Sequence, residues 1–161
     1  MRNPYLTLLS TDTKIVIPFC EGAEKINLLN SKKVFPGKVG DLIREIRPKN
    51  PEQPSTQAAN VEVYETVQRI PYFTDVFTDP DNQFLTQTQI VKFLEDNPEW
   101  VKEDGWGTYF LSKKKGSSKL RYFVVCVYLD DNDLRSIEID LLHETSCIPG
   151  RICRFVIPVK N

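Results

Sequence analysis

Leu120–Leu129 reads LRYFVVCVYL, ten residues in which Arg121 is the only charge. In a strand, successive side chains point to opposite faces. Phe123, Val125, Val127 and Leu129 therefore share one face, and Tyr122, Val124, Cys126 and Tyr128 the other. Both faces are apolar, which predicts a central strand covered on both sides. The neighbours follow from the turns on either side. Lys113-Lys-Lys-Gly-Ser-Ser-Lys119 precedes the stretch and Asp130-Asp-Asn-Asp133 follows it, both of them short connections rich in turn residues. Beyond them, Gly107–Leu111 (GTYFL) and Leu134–Leu142 (LRSIEIDLL) complete a meander. In the latter, Ile137, Ile139 and Leu141 alternate with Glu138 and Asp140. Arg151–Val159 (RICRFVIPV) reads as a fourth strand.

Upstream, Phe84–Trp100 (FLTQTQIVKFLEDNPEW) carries a helix start. Thr86 is the cap, Gln89 completes a capping box, and Leu85 with Ile90 forms a hydrophobic staple. Ile90, Phe93, Leu94 and Val101 gather on one side with Val91 at the rim, while Lys92, Glu95 and Asp96 face away. Pro98 ends the run or opens a second turn carrying Trp100. This helix is expected to cover one face of the sheet, with N-terminal elements or another subunit covering the other. The expected fold class is α+β: an antiparallel four-stranded meander sheet packed against one main helix, with a small N-terminal strand/helix segment. That segment, residues 1–47, holds a strand at Lys14–Phe19 (KIVIPF) and a short helix from Asp41 to Arg47. Residues 48–60 contain three prolines and no large aliphatic residue, and read as a linker or exposed loop. Residues 61–161 form the α+β domain. It begins with Val61–Ile70 (VEVYETVQRI), whose alternation favours a strand over a short helix.

A chain of 161 residues buries about 70% of its unfolded surface and needs no staples. The N-terminus lacks the apolar run of a signal peptide, and no stretch approaches the length of a membrane span. Cytoplasmic localisation and thiol cysteines follow. The net charge of −1 gives no general pull toward nucleic acid or anionic lipid, but charge is unevenly placed. Residues 1–49 carry 9 Lys/Arg against 5 Asp/Glu, residues 50–105 carry 3 against 11, and residues 106–161 carry 9 against 6. Internal complementarity is the preferred reading of that pattern, with two faces of opposite sign as the alternative.

Few constellations point to chemistry. His143 is the single histidine, so any imidazole-dependent enzyme must use it, with a nearby Cys or Asp. His143, Cys147 and Cys153, with Cys126 from a neighbouring strand, are candidate metal ligands, though without the CxxC knuckle of a zinc site. No cofactor is expected. Asp79, Asp81 and Asn82, like Asp130–Asp133, lack the Gly and Glu positions of a calcium loop and read as turns. Glu138 and Asp140 form a carboxylate pair of the kind exposed strands carry. Phe35–Gly40 is turn chemistry without a P-loop ending. Lys113, Lys114, Lys115, Lys119 and Arg121 gather at one hairpin beside Tyr109 and Tyr122, a ribbon suited to phosphate contact and base stacking. Tyr122, Val124, Tyr128 and Trp106 are candidates for a surface facing a protein partner or a homodimer mate. The preferred functional reading is a non-catalytic protein-interaction or oligomerisation module. Nucleic-acid binding and a His143 enzyme are the alternatives, and no membrane partner is expected.

The run Thr86–Val159, with its short helix, Gly105-Trp106, aromatic strand and meander ending in Arg154-Phe155-Val156, resembles the C-terminal half of small uncharacterised proteins of candidate-phylum bacteria. The resemblance covers under half the chain and implies a compact helix-plus-sheet unit in a bacterial cytoplasm. It brings no activity and no site residue with it.

Overall fold

The computed structural model describes residues 3–20, 28, 30–40, 57–102, 107–114, 121–143 and 152–159. Among the described residues, seven strands lie in one sheet: β1 (Leu6–Leu8), β2 (Ile15–Ile17), β3 (Ala59–Thr66), β4 (Thr108–Lys114), β5 (Arg121–Leu129), β6 (Arg135–Leu141) and β7 (Arg154–Pro158). The described residues also form α1 (Pro80–Gln83) and α2 (Gln87–Asp96), with single 3₁₀ turns at Phe73–Asp75 and Pro98–Trp100. The sheet order is β1-β3-β7-β4-β5-β6, and β2 pairs with β3 beside β1.

This overturns the expectation of a four-stranded antiparallel meander on one main helix. β4, β5 and β6 do pair antiparallel in sequence. The fourth expected strand, β7, does not extend them. It lies between β3 and β4, antiparallel to the first and parallel to the second, so the sheet is mixed. The physical reason is burial. Phe155, Val156 and Ile157 are three consecutive buried apolar residues, a pattern that needs cover on both faces and suits an interior strand. From β6, the chain must cross β5 and β4, roughly 14 Å at three strand spacings. The residues between Leu141 and Arg154 reach that far. β3 confirms the strand reading of its alternation, and its other edge takes both N-terminal strands: Leu6 pairs with Thr66 and Ile15 with Val61.

Each face of the sheet is buried by a different part of the chain. On the first, α2 lays Ile90, Val91, Phe93 and Leu94 over Phe110, Phe123, Val125 and Val127, with the Phe93 and Phe110 rings edge to face at 5.6 Å. Ile15, Ile17, Leu28, Val34 and Phe35 join the same core. The N-terminal residues thus divide between the faces, since Tyr5 and Leu6 pack against the opposite side. The second face is closed by the segment after β3, through Ile70, Phe73, Val76 and Phe77 against Leu111, Val124, Phe155 and Ile157. Phe155 stacks on Tyr109 at 5.2 Å and meets Phe77 edge-on at 5.8 Å. The two apolar faces of β5 are therefore covered from within the chain.

The start of α2 follows its sequence. The Thr86 side chain accepts from the Gln89 backbone N–H at 3.2 Å, and Gln89 Oε1 accepts from the Thr86 N–H at 2.8 Å. Gln89 Nε2 also donates to the Gln57 carbonyl at 2.9 Å, tying the helix to the strand entering the sheet. The expected helix at residues 41–47 and most of the expected linker lie outside the described residues. Among the described residues, no helix is long and apolar enough to cross a membrane.

Candidate functional site

The basic hairpin starts from a pinned lysine. In the β4–β5 ladder Lys113 stands opposite Tyr122, and Lys114 opposite Arg121. The Lys113 ammonium lies 2.9 Å from Asp81 Oδ1, and 5.1 and 5.2 Å from the ring centres of Phe84 and Tyr122. The Tyr122 hydroxyl donates to the same carboxylate. That hydroxyl, and then Lys113, hold the Asp81 carboxyl below its usual range. The same contact raises the Lys113 ammonium above its ordinary value. Lys113 is thus already neutralised by a residue from the acidic middle of the chain. Lys115 and Lys119 lie outside the described residues.

Among the described candidate ligands, His143 stands apart from Cys126 and Cys153. His143 is exposed just past β6, while Cys153 is buried just before β7, and β5 and β4 lie between those strands. Cys147 lies outside the described residues. Among the described residues, no group of three His, Cys, Asp or Glu side chains could hold a metal ion. What does assemble is a small buried cluster on the second face. Tyr109 stands opposite Cys126 and is in hydrogen-bonding contact with the thiols of Cys126 and Cys153. Burial pushes the Cys126 thiol up to about 12 and raises the Tyr109 phenol well above its ordinary value. A thiol in that state is protonated at neutral pH and a poor nucleophile.

The acidic turns are occupied by their own backbone. Asp130 Oδ1 accepts from the N–H groups of Asn132 and Leu134 at 2.9 and 3.1 Å, and Oδ2 from the Ser136 hydroxyl at 3.0 Å. Those bonds, that to Asn132 foremost, hold the Asp130 carboxyl below its usual range. Asp79 accepts from the Asn82 amide at 2.9 Å. Of the candidate partner residues, Val124 is fully buried, Tyr122 is engaged with Asp81, and Tyr128 donates to Glu138 at 3.3 Å. Trp106 lies outside the described residues.

Two surfaces missed by the sequence reading stand out. At one end of β3 the pair Thr66–Cys153 closes the ladder through Thr66 N–H to Cys153 O (3.0 Å) and Cys153 N–H to Thr66 Oγ1 (2.9 Å). Beyond it lie Val67 and Ile152, 60% and 51% exposed. Just inside it, Glu65 Oε2 meets Arg154 Nε at 3.4 Å and Lys102 Nζ at 3.6 Å. The second surface is a groove of about 690 Å³ at the far side of the sheet, where residues 31–40 return to β6. Lys33, Val34, Pro36, Leu129, Asp133 and Arg135 line it. Lys33 and Arg135 are far apart in the chain, and only the return of that segment joins them. The one available sequence signal was the Phe35-Pro-Gly37 turn, whose glycine marks a close approach.

No protein-family model, curated protein or solved structure matches this chain. Its surfaces are the guide to what it does.

Proposed function

We propose that the protein is a non-catalytic interaction module of the cytoplasm that self-associates through the surface around Val67 and Ile152. The observation that carries this reading is the placement of these two aliphatic residues, each more than half exposed, just beyond the Thr66–Cys153 pair. Val67 donates its N–H to the Tyr5 carbonyl at 3.0 Å, so the patch is held on a fixed scaffold. Its rim is charged in both signs by Glu65, Arg154 and Lys102. Arg154 is held in place through Nη1, which donates to the Trp100 carbonyl at 3.1 Å. An apolar centre within a polar rim is the ordinary anatomy of an interface. A rim carrying both signs suits a two-fold contact, where the same patch must complement itself. Among the described residues, Cys20, Cys126 and Cys153 are buried free thiols, which suits a reducing compartment.

Sedimentation velocity over a wide concentration range tests the proposal. The wild type is expected to shift toward dimer as concentration rises, and Ile152→Glu to stay monomeric with an unchanged circular-dichroism spectrum. A wild type that is monomeric throughout, or an Ile152→Glu variant that dimerises equally well, overturns it.

A further inference from the structure

We infer that the groove between residues 31–40 and the β5–β6 turn is a binding site for a monocarboxylate with a short apolar body. This site lies apart from the Val67–Ile152 surface and does not depend on it. Its wall is built into the sheet. Gly37 N–H donates to the Arg135 carbonyl at 3.1 Å, the Lys38 carbonyl accepts from Ile137 N–H at 2.9 Å, and Gly40 N–H donates to the Ile137 carbonyl at 2.8 Å. Lys38 N–H also donates to Ser136 Oγ at 2.7 Å. Together these add residues 37–40 to the open edge of β6, with Val39 bridged in parallel to Ile137. A Cβ on Gly37 would lie 2.2 Å from Ser136 Oγ, so this approach requires glycine. The wall is thus fixed by the sheet, and it borders an open groove.

The lining defines the ligand. Val34, Pro36 and Leu129 offer an aliphatic floor, and Lys33, Arg135 and Asp133 supply the charge. Two cations and one carboxylate leave a net charge of one positive unit, which a monoanion matches. A phosphate dianion would meet Asp133 repulsively. Arg135 is the anchor. Its Nε–H is buried without a hydrogen-bond partner, a state that costs the desolvation of a strong donor. A small outward turn of the guanidinium would free this donor. A carboxylate held side-on across Nε and Nη then provides the two parallel bonds that this fork favours. Lys33 closes the opposite side as a point charge.

Titration of the ¹⁵N-labelled protein with hexanoate, followed by amide shifts of Val34, Leu129 and Arg135, tests the site. Saturable shifts are expected with hexanoate. Hexanamide, of equal shape but uncharged, should bind about tenfold more weakly or worse, and inorganic phosphate at the same concentrations should leave these resonances unmoved. Arg135→Gln should weaken hexanoate by about tenfold or more while its remaining spectrum is unchanged. Lys33→Gln, a loop substitution outside the core, should weaken it several-fold. The inference fails if hexanoate gives no saturable shift, if hexanamide or phosphate binds as well, or if both variants bind like the wild type.

Discussion

At Gly107 the backbone adopts φ +81°, and an added Cβ would come within 2.8 Å of Cys126 Sγ and 3.4 Å of the Tyr109 ring. Two independent reasons thus converge on glycine. A side chain in the left-handed region costs about 1–2 kcal/mol, and forcing an extra methyl into a packed core costs roughly 1–3 kcal/mol more. Gly107→Ala is expected to lower the unfolding free energy by about 2 kcal/mol or more in urea denaturation. In the Gly107→Ala/Cys126→Ala double variant the clash with sulfur disappears while the strained φ remains. Its loss should fall short of the sum of the two single losses, the mark of coupled neighbours. A strictly additive result would show that the thiol and the missing side chain do not share space. The same cluster illustrates what single residues conceal. Cys126 and Cys153 read in sequence as candidate ligands. Cys126 on β5 and Cys153 just before β7 are both buried, around Tyr109 on β4.

Among the elements, α2 was the most legible, because its signals are local. The Thr86–Gln89 box and the Leu85–Ile90 staple lie within one turn of each other, and both staple residues are buried. Thr86→Ala should cost about 1 kcal/mol, as removal of an N-cap does. Gln89→Ala should cost more, since it also releases the bond to Gln57. Thermal melts of the two variants check the order, and equal losses would show that the Gln57 tie adds nothing. The meander was legible for a similar reason: its connections are short and its alternation clear. Strand order beyond it was not. Pairing β7 with β3 and β4 depends on which interior gap fits a strand apolar on both faces, and residue spacing carries no such information. β1 is three residues long, too short for its alternation to register. The carboxylate groove was invisible for the same reason as β7: its two cations meet only through the return of a segment to a distant strand edge.

The whole molecule has an alkaline weakness. Burial, then the neighbouring Glu62 carboxylate, pushes the Tyr64 phenol up to about 12. Burial and then Glu138 do the same for Tyr128, and burial pushes the Cys126 thiol to about 12. In the unfolded chain such groups lose their protons near pH 8.5 for Cys and about 10 for Tyr. The folded state therefore holds protons that the unfolded state releases. Their contribution is complete below about pH 8.5 and drains away as pH rises toward 12. Denaturation midpoints measured at intervals between pH 7 and pH 11 should stay level at first and then fall steadily. Tyr128→Phe should make the fall shallower, and a profile flat to pH 11 would contradict the assignment.

The placement of β7 also bears on how the chain is made. It is the last of the seven strands to be synthesised, yet it joins β3 to β4. Until it leaves the ribosome, the nascent polypeptide holds two half-sheets, each with a bare row of backbone donors and acceptors where β7 will lie. Such open edges invite mispairing, and contacts between distant parts of the chain slow folding. Assembly therefore waits on a single closing insertion.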